Sequence, residues 1–525
     1  MKKKLETLCI VTTIFFFSML APQIKAQATD EVNKELKIIN YIKKSERTST
    51  PKVDHSQFKI LQQDFENAHK LTAACLSCHN GRHTEILESS HFKWYRTEKI
   101  GERGEVELGK KNVINNFCIG ISGSEKTCTR CHIGYGWEDK NFDFNEPTNI
   151  DCLICHDQTG TYKKASGKAG YPEETVDLSY VASSVGSPKR ENCGVCHYWG
   201  GGGNNVKHGD LDKAMNNCSR DVDVHMTIDG EDMSCIDCHT TENHDIPGQV
   251  YSVSSINENR NTCVQCHTQT PHKTNILNNH QNRIACQTCH IPIYAKANPT
   301  KMYWDWSTTG KMGDDGKRLI EPDAYGGHKY YSHKGTFVYR KNVVPEYYWF
   351  NGTAEHTLIE DTFDDTKPLQ INTLNGSFND GMSKIWPVKV HRGKQPYDTK
   401  FKTLIQPKLW DTEQGKGAYW LDYNWDESAK KGMEYIERPY SGELGYIKTE
   451  MYWPLNHQVS SADKALTCTQ CHTNSKDGRL ANLKGGYIPG RDSIASIEYF
   501  GFGMVLLSLI GVFIHALIRI FYNKK

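Results

Sequence analysis

Aliphatic bulk is what this sequence has too little of. Hydrophobic residues make up 37% of its 525 residues, against ~45–50% in an ordinary soluble domain. A chain long enough for about two to four domains is short of the side chains that would fill their cores. Charge of one sign is missing too: 63 Lys and Arg stand against 62 Asp and Glu, a net of +1. No field of one polarity exists to hold nucleic acid or an acidic partner. Long apolar periodicity is absent from residues 75–290, whose connecting stretches are rich in Gly, Asn, Ser and Pro. That excludes long helices and strands there and predicts short helices and loops.

Cysteine, by contrast, is abundant, with 19 Cys beside 23 His. One pattern, Cys-x-x-Cys-His, recurs eight times. Its copies are Cys75, Cys78 and His79; Cys128, Cys131 and His132; Cys152, Cys155 and His156; Cys193, Cys196 and His197; Cys235, Cys238 and His239; Cys263, Cys266 and His267; Cys286, Cys289 and His290; and Cys468, Cys471 and His472. Zinc ribbons also use Cys-x-x-Cys, but they do not require His at the next position in every copy. A secreted chain would convert bare thiol pairs to disulfides. The pattern is the attachment motif of a c-type haem, with two thioether links and an axial His. Eight covalently attached haem c groups supply the apolar bulk that the side chains lack. Spacing is irregular and the flanks do not match, which excludes a solenoid. Cys9, Cys118 and Cys218 are left over. Cys118, unpaired and shortly ahead of Cys128, marks the second motif as the working haem and the other seven as its electron supply. A Cys118–Cys218 disulfide is the alternative.

The ends address the chain. Lys2, Lys3 and Lys4, an apolar run at 8–20 and Ala26-Gln27-Ala28 read as a secretory signal peptide over residues 1–28. Residues 29–70 form a Lys-rich arm with helices predicted at 30–44 and 57–70. Residues 291–467 carry no motif but cluster aromatics such as Tyr303, Trp304, Trp306, Tyr347, Trp349, Tyr419 and Trp425. Short strands are predicted there at 335–339 and 385–390, in a lobe that covers haem edges. A Gly/Pro linker at 482–496 leads to an apolar run at 497–520, long enough to span a bilayer. Lys524 and Lys525 follow it, so the tail at 521–525 is cytoplasmic and the body at 29–481 is periplasmic, on the outer face of a bacterial inner membrane. His515, inside the span, is either an interfacial His or a site. The stretch around it resembles a His-bearing helix of membrane cytochrome b subunits. The fold class expected is a multihaem cytochrome c: short α-helices and loops wrapped on a haem core, a haem-free aromatic lobe with short strands, and one C-terminal transmembrane helix.

The motif number and order, with Asn116-Phe117-Cys118 before the second motif and the run from Gly200 through Lys207 and His208 to Asp212 after the fourth, resemble the octahaem tetrathionate reductase family. The resemblance implies that the second haem is the active site, that its distal ligand is Lys207, and that Cys118 lies near its iron as a free thiol. It implies two His ligands on the other haems, and packing similar to hydroxylamine oxidoreductase and the pentahaem nitrite reductases. Family members reduce tetrathionate and also nitrite and hydroxylamine. The C-terminal span is an addition to that pattern. No motif ends in Lys, which separates the chain from the pentahaem nitrite reductases but does not exclude nitrite as substrate. Closeness in sequence to a motif selects His91, His208, His225, His244, His272, His280 and His457 as distal ligands, with His69, His83 and His391 next.

The function expected is a periplasmic, membrane-anchored multielectron reductase of tetrathionate, nitrite or hydroxylamine at the second haem. Its partners would be a small inorganic sulfur or nitrogen oxyanion and a cytochrome b or other quinol-oxidising membrane protein. The alternatives are a non-catalytic electron conduit to a periplasmic acceptor and hydroxylamine-type oxidation.

Overall fold

The computed structural model describes residues 53–117, 119–248 and 254–522. The predicted signal peptide, the predicted helix at 30–44 and Cys118 lie outside the described residues. Residues 57–70 do not form the predicted helix. Two 3-10 turns, His55–Gln57 and Lys59–Leu61, come first, with the Asp54 side chain accepting from the Ser56 N–H. Asn67 then accepts from the Lys70 N–H and starts the helix Ala68–Cys78, which runs straight into the first motif. The cap, a stronger local signal than weak propensity, sets the start.

Every motif lies on a helical turn: Ala68–Cys78, Glu125–Cys128 with Thr129–Cys131, Leu153–His156, Arg190–His197, Cys235–Cys238, Cys263–Gln265, Cys286–His290 and Cys468–Cys471. One turn puts residues i and i+3 on one face, so both thiols of a pair face the same way. Three motifs build their own start. Ser234, Thr262 and Thr467 each precede the first Cys, and their backbone N–H groups donate to Asp237 (2.6 Å), Gln265 (2.9 Å) and Gln470 (2.9 Å). This is a capping box written inside the attachment motif.

The aromatic lobe is built on a mixed, nine-stranded sheet, beside a two-stranded one formed by Ala354–His356 and Asn372–Leu374. Its spine is the strand Lys384–Asp398, antiparallel to Leu444–Pro454 along eleven residue pairs from Val388↔Pro454 to Asp398↔Leu444. Thr300–Asp305 lies parallel on its other side and Glu346–Phe350 is antiparallel to its first residues. The predicted strands at 335–339 and 385–390 are present as Gly335–Arg340 and as the start of this spine. The sheet's main apolar cluster includes Trp304, Trp306, Tyr397, Met451 and Trp453. It also takes in Ile114, Phe117 and Ile119 from ahead of the second motif and Val206 from after the fourth. The lobe therefore fixes the two segments that the sequence singled out.

The C-terminal helix Ala495–Tyr522 has 28 residues, contains the predicted 497–520 run, and is long and apolar enough to cross a membrane. The preceding linker is folded onto the body. Arg491 donates to the carbonyls of Leu480 (3.1 Å), Leu483 (2.8 Å) and Gly486 (3.0 Å), and the Pro489 carbonyl meets His472 Nδ1 at 2.8 Å.

Candidate active site

A metal held between two imidazoles by bonds of about 2 Å places the ring centres about 6.3 Å apart. Among the described residues six pairs have that separation: His55–His79 at 6.2 Å, His91–His197 at 6.1 Å, His225–His267 at 6.1 Å, His239–His457 at 6.4 Å, His272–His290 at 6.3 Å and His280–His472 at 6.1 Å. Each joins one motif histidine to one outside the motifs, which fits an iron between them. Hydrogen bonds orient the rings. Nδ1 of His156, His239 and His472 meets the carbonyls of Gly186 (2.9 Å), Pro247 (2.7 Å) and Pro489 (2.8 Å), leaving Nε2 for a metal. His244 is turned in the same way by Glu85 at 2.7 Å and lies near enough to His156 to be felt electrostatically. At His457 burial disfavours charge, but the Asp210 carboxylate at 3.3 Å outweighs it and raises the pKa.

Two expectations about the distal ligands change. His55, which sequence proximity did not select, faces His79 across the first motif. His208 packs edge-on against Trp453, with ring centres 4.9 Å apart, and among the described residues faces no motif ring. His69 has both ring nitrogens engaged, with the Thr148 carbonyl at 3.0 Å and the Tyr171 hydroxyl at 2.9 Å.

The motif cysteines set an order. Cys75 meets Cys152, Cys193 meets Cys235, and Cys263 meets Cys286 in side-chain contact. Cys155 and Cys193, Cys238 and Cys266, and Cys289 and Cys471 are near enough to interact electrostatically. The motifs thus follow one another as first, third, fourth, fifth, sixth, seventh, eighth. The second joins from the side, where Cys131 contacts Cys196, whose Sγ is 3.7 Å from the Cys131 carbonyl.

His132 of that second motif stands apart. It is wholly buried and ringed by Phe92, Trp94, Trp137, Phe142 and Phe144, with ring centres 4.9–6.3 Å away. No histidine ring faces it among the described residues, and its Nε2 meets the Phe92 carbonyl at 2.6 Å. Burial first, and then the Lys164 ammonium, pull its pKa down to about 3. Lys164 Nζ donates to the Gly134 carbonyl at 3.0 Å and to that of His132, and pairs with Asp151 at 3.0 Å.

The two segments named by the sequence do meet. Gly201, at φ +79°, brings its backbone against Phe117: a Cβ there would lie 3.3 Å from the ring, so glycine permits the approach. Lys207 Nζ lies 5.0 Å from the Trp453 ring centre, and Phe117 lies 5.8 Å from that same ring and 4.1 Å from His391. The Phe117 loop is pinched shut by the Asn115 N–H donating to the Ile119 carbonyl at 2.7 Å. Ile119 is held at φ 67°, a left-handed conformation that a β-branched residue adopts only under constraint. Cys218 carries no disulfide and is buried, its Sγ 4.0 Å from the Asp223 carbonyl.

Paired histidines bracketing Cys-x-x-Cys-His turns define a multihaem c-type cytochrome. Comparison with known proteins narrows this. Residues 74–157 match the family model "Cytochrome c554 and c-prime", and residues 301–475 match "Cytochrome c bacterial". The crystal structure of octahaem cytochrome c from Shewanella oneidensis is 43% identical, with a TM-score of 0.75, over 81% of this chain and 95% of that one. An uncharacterised protein of Archaeoglobus fulgidus is 23% identical over 243 residues, 37% of this chain and 80% of its own length. The chain belongs to the octahaem c-type cytochromes and binds haem c covalently.

Proposed function

We propose that this protein is a periplasmic, membrane-anchored reductase carrying eight haem c groups, and that tetrathionate, nitrite or hydroxylamine is reduced at the second of them. The observation that carries the reading is His132: six motif histidines face a partner histidine ring and His156 has His244 within electrostatic reach, whereas no histidine faces His132 among the described residues. Lys207 is the distal group of that position, supported by its place beside Phe117 and Trp453. An amine must lose its proton to bind a metal, and its long stem can swing away, so it makes an exchangeable ligand. The remaining positions take His55, His91, His225, His244, His272, His280 and His457. Cys118 follows Phe117 in the loop and would add a thiol whose reactivity depends on its thiolate character and access. Haem c supplies one-electron carriers; the chain fixes their ligands and order.

Anchoring by Ala495–Tyr522 accords with its composition and with the contact of Pro489 with His472, which sets the eighth motif beside the helix that would enter the membrane. That arrangement favours a quinol-oxidising membrane partner. The deciding experiment is anaerobic reoxidation of the reduced, purified protein by tetrathionate, nitrite and hydroxylamine side by side. Electron loss to at least one at catalytic rates is expected; loss to none would leave an electron conduit.

A further inference from the structure

Opposite the Asn115–Ile119 loop, the spine strand Lys384–Asp398 offers one face with Lys389, His391, Gly393 and Gln395, since alternate residues point the same way. Lys389 is spoken for: its Nζ donates to the carbonyls of Val206 (2.7 Å) and Lys207 (3.0 Å) and to the Thr300 hydroxyl (2.6 Å). It ties the strand to the Lys207 segment. At Gly393 an added Cβ would press on the Thr449 hydroxyl (3.0 Å) and the Trp304 carbonyl (3.1 Å), and would make only ordinary contact with the Asn116 Cβ (3.7 Å).

His391 sits between them, 0% exposed, its ring tilted 36° against Phe117 with ring centres 4.1 Å apart, and neither Nδ1 nor Nε2 is hydrogen-bonded. Beside it Asn116, 1% exposed, donates Nδ2–H to the His391 carbonyl at 2.8 Å and leaves Oδ1 without a partner. The carbonyl contact fixes which way the amide points, so the orphan is an acceptor. Buried polar atoms are nearly always paired, and orphans are costly. Three on two neighbouring residues, Asn116 in the loop and His391 on the strand it is bonded to, call for a small polar molecule. It must offer both an acceptor, for the imidazole N–H, and a donor, for Asn116 Oδ1. Hydroxylamine offers both; nitrite offers acceptors; tetrathionate has acceptors only and is far longer.

We propose that His391 and Asn116 form the polar seat for a nitrogen oxo-compound, the imidazole donating to its oxygen and the Asn116 amide oxygen accepting from its N–H or O–H. This rests on the reading that substrate is reduced at the second motif.

The test uses the full-length holoprotein and three variants, each checked for full covalent haem content and for an unchanged resting paramagnetic-resonance spectrum. His391→Phe keeps an aromatic ring against Phe117 and removes both nitrogens. It should raise the nitrite Kd, read optically on the oxidised protein, by at least about tenfold, and raise the KM for nitrite and hydroxylamine similarly. Asn116→Leu should raise the hydroxylamine KM about tenfold and the nitrite KM less than about threefold. Gln395→Leu, on the same face but about 13 Å along the strand, should change neither. If His391→Phe does not accumulate haem, His391→Gln, which keeps one donor, should give an intermediate nitrite Kd. A nitrite Kd in the His391 variant equal to the parent's overturns the seat while leaving the reductase reading intact. A parent that reduces tetrathionate but neither binds nor reduces nitrite or hydroxylamine overturns the seat alone; a parent inert toward all three overturns both. Equal losses on all substrates with an altered resting spectrum assign His391 a structural role and overturn the proposal.

Discussion

Replacing Lys164 by Met tests how the second motif is held. Lys164 and Asp151 are buried, with side chains 2% and 0% exposed, and pair at 3.0 Å. Asp151 also accepts from the Tyr135 hydroxyl (3.0 Å), the Tyr162 hydroxyl (2.9 Å) and the Ile154 N–H (3.1 Å). Burial, and after it the charge of Asp151, raise both tyrosines well above their ordinary pKa, so both remain donors at any working pH. The ammonium in turn holds the carbonyls of His132 and Gly134. Breaking a buried pair from one side costs about 3–5 kcal/mol. Lys164→Met leaves a carboxylate with three donors still in place, which argues for the low end, about 3 kcal/mol. Asp151→Leu strands the ammonium and two tyrosine hydroxyls, and belongs at about 5 kcal/mol or above. At ~2.1 cal/mol/K per residue, a body of roughly 430 residues melting as a unit shifts by about 1 °C per kcal/mol. Far-UV circular dichroism should therefore show Lys164→Met falling by about 3 °C and Asp151→Leu by about 5 °C. Amide exchange, which reads local opening, should accelerate at Tyr135 and Asp151, the amides that close this segment. If both variants melt within about 1 °C of the parent and exchange is unchanged, the network does not hold the segment.

Three further outcomes are expected. Lys207→Ala should keep every covalent haem and convert one to a high-spin or water-ligated form by electron paramagnetic resonance, whereas an unchanged spectrum removes Lys207 as a ligand. Ending the chain after Ile494 keeps the Arg491 and Pro489 contacts, so it should release a soluble protein with full haem content that works with an artificial reductant and has lost quinol-driven turnover; full quinol activity would make the helix an anchor and nothing more. Glu125 has its carboxyl pKa raised, chiefly by burial and against the Tyr435 hydroxyl at 2.8 Å, so its folded form prefers the proton and is penalised above that raised pKa. Glu125→Gln should accordingly raise the melting temperature at pH 7 and leave it unchanged near pH 4; the reverse order would contradict the assignment.

The attachment motifs were legible because covalent chemistry fixes their spacing and one helical turn satisfies it. The histidine pairs were legible only in part. Closeness to a motif named five of the six histidines that face a motif ring among the described residues, missed His55, and included His208, which faces none. His457 precedes Cys468 by a few residues but faces His239, His280 faces His472 rather than a ligand of the adjacent motif, and His91 faces His197. His55 had no local signal at all: a single His in a polar arm comes to face His79 only once the helix Ala68–Cys78 is in place beside it. The spine strand hid for another reason. Its residues are buried almost without alternation, and it contains Lys389, Gly393 and Pro396, so neither period nor propensity marks its full length.

The order of the motifs bears on reductase against conduit. The line from first to eighth has exposed ends: Cys78 and His79 at one, Cys468 and His472 at the other. Such a line suffices to carry electrons between two surface partners. The second motif lies off it, touching the fourth through Cys131 and Cys196, with His132 wholly buried. A conduit has no use for a buried side branch, which adds no exit. A reductase needs one, because the reacting position must be shielded from water and from partner proteins while staying in reach of the line. Several costly features belong to this motif and to the loop ahead of it: the buried Lys164–Asp151 pair, Ile119 in a left-handed conformation, and unpartnered polar atoms on Asn116 and on His391, which packs against Phe117. Strain and unmade hydrogen bonds persist where the surrounding structure is rigid enough to impose them and a ligand can repay them. Here the nine-stranded sheet supplies the rigidity, and a substrate held by Asn116 and His391, as proposed, would supply the partners.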